Sequence, residues 1–137
     1  MKRILAAALS LFSLTFPPAA SAQVIDIQPQ VQPALFDQRD LIVVAARALE
    51  DRKYKLALRV ANNVTDLFPG YATGYLYRAL AFYKLGEVQA AKLDFDRAKR
   101  LYTERSKSAN LSVDQKNEAQ LGLEAIELHL QLLKSQL

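Results

Sequence analysis

Residues 73–105 read TGYLYRALAFYKLGEVQAAKLDFDRAKRLYTER, and the stretch just before them, residues 39–71, reads RDLIVVAARALEDRKYKLALRVANNVTDLFPGY. Laid over one another at an offset of 34 residues, Leu41 meets Tyr75, Ala45 meets Ala79, Leu49 meets Tyr83 and Tyr54 meets Val88. Ala57 meets Ala91, Ala61 meets Phe95, Val64 meets Ala98 and Leu67 meets Leu101. The positions that agree are those a helical hairpin needs apolar or small, and a self-match at this period marks stacked supersecondary units. Within each copy the apolar residues recur three and four apart, which predicts helices over about 38–51 and 53–67, then about 73–85 and 87–105. Asp37 is suited to cap the first helix, and Asp40 places a carboxylate in its first turn. Glu50-Asp51-Arg52 and Gly86 are the turns within the hairpins, and Pro69-Gly70 closes the first hairpin.

Tyr75, Ala79, Phe82, Leu85-Gly86, Ala91, Phe95 and Ala98 resemble a tetratricopeptide repeat, and the preceding unit resembles one more loosely through Leu41, Ala45, Ala57, Val64 and Pro69. The resemblance covers residues 38–105. It departs from the usual pattern at Arg78, where Leu is common, at Arg52, where Gly is common, and at Thr103, where a closing proline is common. It implies an all-α domain over 38–137. Two repeat-like helical hairpins, 38–71 and 72–105, would form an α-solenoid stack closed by a long C-terminal capping helix. In such repeats the first helices of successive units line a concave surface that takes an extended or helical peptide. That implication, carried over position by position, puts Arg39, Ile42, Val43, Ala46, Leu49 and Glu50 there, followed by Thr73, Leu76, Tyr77, Leu80, Tyr83 and Lys84. Some members grip a partner's terminal carboxylate with Lys and Asn from this surface, but Ile42, Ala46 and Leu80 hold those positions here, which disfavours that mode.

Ser112 followed by Gln115 is a capping-box start for a last helix over about 113–135. Ala119, Leu123, Ile126, Leu130, Leu133 and Leu137 form one apolar stripe, and Leu121, Ala125, Leu128 and Leu132 form a second nearly opposite it. A broad polar band of Lys116, Gln120, Glu124, Glu127, Gln131 and Lys134 separates them on one side only. Docking on one hairpin uses a single stripe, so the second stripe has two readings. Either the chain preceding residue 38 covers it, or it is an interaction surface for a partner or a second copy.

Residues 1–22 carry Lys2 and Arg3, an apolar run from Ile4 to Phe16, and Ala20-Ser21-Ala22, the pattern of an export signal cleaved before Gln23. The run is shorter than the roughly 20 apolar residues that span a bilayer, so no transmembrane segment is expected in the mature chain. Residues 23–37 contain Pro29 and Pro33 and no helical period, which predicts an extended arm. Its Val24, Ile25, Ile27, Val31, Leu35 and Phe36 call for a cover, from its own domain or from a partner.

The chain of 137 residues has 18 basic and 14 acidic side chains, for a formal charge of +4. Loss of Lys2 and Arg3 leaves sixteen against fourteen, a balance that argues against nucleic acid as a partner. The basic residues Lys92, Arg97, Lys99, Arg100 and Arg105 are interleaved with Asp94, Asp96 and Glu104, as in a solvated helix face. With no cysteine, the fold rests on packing, and there is no thiol ligand, nucleophile or lipidation site. A soluble periplasmic or secreted protein of a bacterial envelope is the simplest expectation. Asn63-Val64-Thr65 and Asn110-Leu111-Ser112 match the glycosylation pattern and leave a eukaryotic secretory origin open.

No catalytic, cofactor or metal site is expected. His129 is the single histidine, and Asp94 and Asp96, two apart on a helix, point to different sides. Phosphate-loop and nucleophile-elbow patterns are missing. The expectation is a non-catalytic adaptor that holds a protein or peptide on an apolar groove, through the last helix, or through both. The alternative is a structural protein that self-associates through Leu121, Ala125, Leu128 and Leu132.

Overall fold

The structure, a computed structural model, describes residues 37–135. The expected export signal and nearly all of the arm lie outside the described residues. Five helices follow one another: α1 Gln38–Glu50, α2 Tyr54–Leu67, α3 Ala72–Lys84, α4 Val88–Ser106 and α5 Val113–Ser135. No strand occurs among the described residues. The helix bounds fall within a residue or two of those the sequence predicts.

The local chemistry explains the bounds. Asp37 begins α1, and its N–H donates to the Asp40 carboxylate at 3.3 Å. At the start of α5, Gln115 N–H donates to Ser112 Oγ at 3.3 Å and Ser112 N–H to the Gln115 side-chain oxygen at 3.1 Å, the reciprocal pair expected of a capping box. The α1–α2 and α3–α4 turns are the same object built twice. Lys53 N–H donates to Ala48 O and Arg52 N–H to Leu49 O in the first, and Glu87 N–H to Phe82 O and Gly86 N–H to Tyr83 O in the second. This six-to-one bond with a five-to-two bond inside it is the Schellman closure, which needs a left-handed residue just past the helix. Gly86 supplies it at φ 83°, and Arg52, 34 residues earlier, adopts φ 60° in the same place. The repeat thus persists in the backbone where the residue type departs from it.

Packing follows a regular pattern. α1 pairs with α2 and α3 with α4; α3 also packs on α2 and, more lightly, on α1, and α5 packs in the same way on α4 and, more lightly, on α3. Small residues make these approaches possible: Ala45, Ala57, Ala79 and Ala91 are wholly buried, with Phe95 and Val64 filling the space around them. Gly74, between the two hairpins, and Gly122, between α4 and α5, serve the same purpose. A Cβ on Gly74 would come 2.8 Å from Val64 Cγ1, and one on Gly122 would come 2.5 Å from the Tyr102 ring. In α5, Ala119, Ile126 and Leu133 are buried, and Leu123 and Leu130 are partly buried against the same cluster. This is the stripe assigned to the core from the sequence.

Two polar networks cross the helix interfaces. Arg78 on α3 forks onto Asp94 on α4, Nε to Oδ2 at 2.6 Å and Nη2 to Oδ1 at 2.8 Å. Its Nη1 donates to Thr65 Oγ1 on α2 at 2.8 Å and to Asn62 Oδ1 at 3.4 Å. The Asp94 hydrogen bond raises the Arg78 pKa against the opposing effect of burial. In the second network Thr73 Oγ1 donates to Glu118 Oε1 at 2.8 Å, and because a hydroxyl has one hydrogen, Tyr102 OH must donate to Thr73 across its 2.8 Å contact. Burial pushes the Tyr102 phenol up to about 12. No buried side-chain polar atom lacks a partner among the described residues.

Candidate interaction surface

The residues assigned to the groove divide by depth. Ile42 and Leu76, at 8% and 7% exposure, are taken into the core, so they support the surface and do not line it. Val43 is exposed at 60%, Ala46, Leu49, Tyr77, Leu80 and Tyr83 are half-buried, and Lys84 is exposed. Lys84 Nζ stands 5.8 Å from the centre of the Tyr83 ring. Ile42 and Tyr77 belong to one apolar cluster with Leu41, Val64 and Tyr71, which joins α1 to α3 at this surface. Burial raises the Tyr77 phenol pKa, with the Glu50 carboxylate adding to the effect.

On α5 the stripe assigned to an interface is open: Leu121, Leu128 and Leu132 are 65%, 55% and 42% exposed, and Ala125 is half-buried. The contacts of the neighbouring flanks fix which way it faces. Glu118 is held to α3 by Thr73 and is reached by Tyr71 OH at 3.5 Å. His129 meets Tyr83 of α3 edge-on at 5.9 Å and stacks on Phe95 of α4 at 5.4 Å, while its Nδ1 donates to Ala125 O at 2.8 Å. The opposite flank is tied to α4, where Lys99 Nζ lies 3.0 Å from Glu127 Oε2; that hydrogen bond lowers the Glu127 pKa. At about 100° per residue, Ala125, Leu132, Leu121 and Leu128 come next round the helix beyond Glu118 and His129. The stripe therefore opens on the α3 side of α5. The polar band with Gln120, Glu124 and Gln131 faces away from both neighbours.

Periodicity gives the angle between the two stripes of α5 but not which of them faces which neighbour. The signal available in advance was Glu118 and His129, the two polar residues that interrupt the apolar arc on that side. No group of three or more His, Cys, Asp or Glu side chains comes together among the described residues, and none of their helices is long and apolar enough to cross a membrane. Comparison with protein-family models, curated proteins and solved structures gave no match.

Proposed function

We propose that the chain is a small exported adaptor of the bacterial envelope, periplasmic or secreted, built as a short tetratricopeptide-type stack. In this reading one continuous apolar groove across α1, α3 and α5 holds a protein or peptide partner. The observation that carries it is the open stripe of α5 on the α3 side, beside the flank that Thr73 and Tyr83 of α3 hold through Glu118 and His129. The stack is supported by the 34-residue offset, by the twice-built Schellman turn and by the way α5 repeats on α4 and α3 the packing of α3 on α2 and α1. In such a stack the polar band of α5 lies where a further repeat would dock, which suits a cap. Leu121, Ala125, Leu128 and Leu132 then belong to the groove, and this favours partner binding over self-assembly through α5 alone.

The groove's chemistry is that of a binding surface, with aromatic and aliphatic side chains and no nucleophile, base or metal set, so the reading is non-catalytic. Affinity capture from the native envelope fraction tests it. A partner retained by the parent protein and lost by Tyr77→Ala with Leu80→Ala supports the groove. A partner retained equally by both refutes it.

A further inference from the structure

The outer face of α1 carries four exposed residues in the order Asp40, Val43, Val44, Arg47. Val43 and Val44 are 60% and 47% exposed, and they border a shallow depression of about 330 Å³ that continues onto Leu56 of α2. The face is the first hairpin's counterpart of a surface that α3 uses to pack on the preceding hairpin. Shifted by 34 residues, Asp40, Val44 and Arg47 become Gly74, Arg78 and Ala81 of α3, which face the preceding hairpin. At the α5 end the corresponding surface is polar, whereas here it is apolar and bracketed by opposite charges.

We propose that this face binds a second copy of the chain about a two-fold axis through the midpoint of Val43 and Val44. Asp40 and Arg47 lie equally far from that midpoint, and at seven residues, about 10 Å along the axis, they are too distant to pair within one helix. When two α1 helices cross antiparallel on the axis, Val43 of one copy meets Val44 of the other. Asp40 of each copy then stands opposite Arg47 of the other. An isologous contact requires this self-complementarity. Arg47 has no ion pair among the described residues, and Asp40 engages only its Oδ2, with the Asp37 N–H. The apolar centre is small, so the dimer is reversible and salt-sensitive. Val43 also borders the groove, so the dimer would cover its α1 edge; self-association is therefore measured without any groove partner.

Sedimentation of the purified protein from low micromolar to submillimolar concentration tests it, with charge-reversal variants. The parent should pass from monomer to dimer. Arg47→Asp alone and Asp40→Lys alone each set like charges across the axis and should weaken the dimer about tenfold or more. An equimolar mixture of the two variants restores both ion pairs and should form a heterodimer close to the parent in strength. Circular dichroism on each variant separates this from misfolding. A parent that stays monomeric, a dimer indifferent to Arg47→Asp, or a mixture that fails to associate while both variants are folded overturns the proposal. So does a monomeric parent whose melting temperature falls on Val44→Lys, because the face would then be covered from within the same chain.

Discussion

Cutting Arg78 back to alanine should be among the most damaging single changes in the chain. The fork onto Asp94 joins α3 to α4, and the third nitrogen reaches α2 through Thr65, so one side chain ties together three helices. The side chains are 22% and 10% exposed, which makes this a largely desolvated pair. Removing one partner of such a pair leaves the other buried without compensation, at a cost of about 3–5 kcal/mol. Water can enter beside the truncated residue, so the expected loss is at the lower end, about 3 kcal/mol. For a domain of this size that lowers the melting temperature by roughly 10 °C or more. The pair itself is worth much less than its breakage suggests, because two apolar residues of similar volume need no desolvation. Arg78→Leu with Asp94→Leu should therefore lie within about 1 kcal/mol of the parent, and a double-mutant cycle in urea should show coupling of about 2 kcal/mol or more. Single losses below about 1 kcal/mol, or a double variant as unstable as the two singles added together, would refute the assignment of a buried, paired charge.

Three further outcomes are expected. Gly122→Ala should destabilise by about 1–3 kcal/mol by urea unfolding even though alanine favours helices, because its Cβ would meet a Tyr102 ring that is buried and bonded to Thr73; a stabilised variant would contradict the close approach of α4 and α5. Arg52→Gly should raise stability by roughly 0.5 kcal/mol, the left-handed strain relieved less the backbone entropy of glycine, and a loss of that size would mean that Arg52 is not strained. Stability should fall as pH rises from about 10 towards 12, since Tyr102 keeps its proton when folded to about 12 and the unfolded chain releases it near 10. The loss approaches roughly 2–3 kcal/mol, with the raised Tyr71 and Tyr77 acting in the same direction. Tyr102→Phe should flatten part of that slope while costing about 1 kcal/mol at neutral pH for the hydrogen bond to Thr73.

The helices and their turns were legible because they depend on local signals: apolar spacing, Asp37, Ser112 with Gln115, Pro69-Gly70 and the 34-residue offset. Arg52 shows where such signals stop, since an arginine gives no hint of a left-handed turn unless its partner Gly86 is laid over it. Asp94, grouped from the sequence with Asp96 and Glu104 on a solvated helix face, is instead buried at 7% exposure, because it stands three residues after Ala91 and four before Ala98 on the inner side of α4, where Arg78 pairs with it. Only the departure of Arg78 from the repeat pattern pointed to the clamp. The Thr73, Tyr102 and Glu118 network was not legible, because the residues are far apart in sequence and each is ordinary in its own helix. The two stripes of α5 were correctly separated, with Ile126 and Leu133 buried and Leu121 and Leu128 open. Their orientation towards α3 depended on tertiary contacts that no periodicity contains.

Whether α3 and α5 present one groove is decided by the binding of the captured partner to three single variants. Leu80→Asp on α3 and Leu128→Asp on α5 alter the two walls, and Leu93→Asp alters an equally apolar exposed site on α4. With folding verified for each, the Leu80 and Leu128 variants should both lose the partner while the Leu93 variant binds like the parent. A Leu128 variant that binds at full strength while the Leu80 variant does not would contradict the single groove, and the α5 stripe would then be a separate surface.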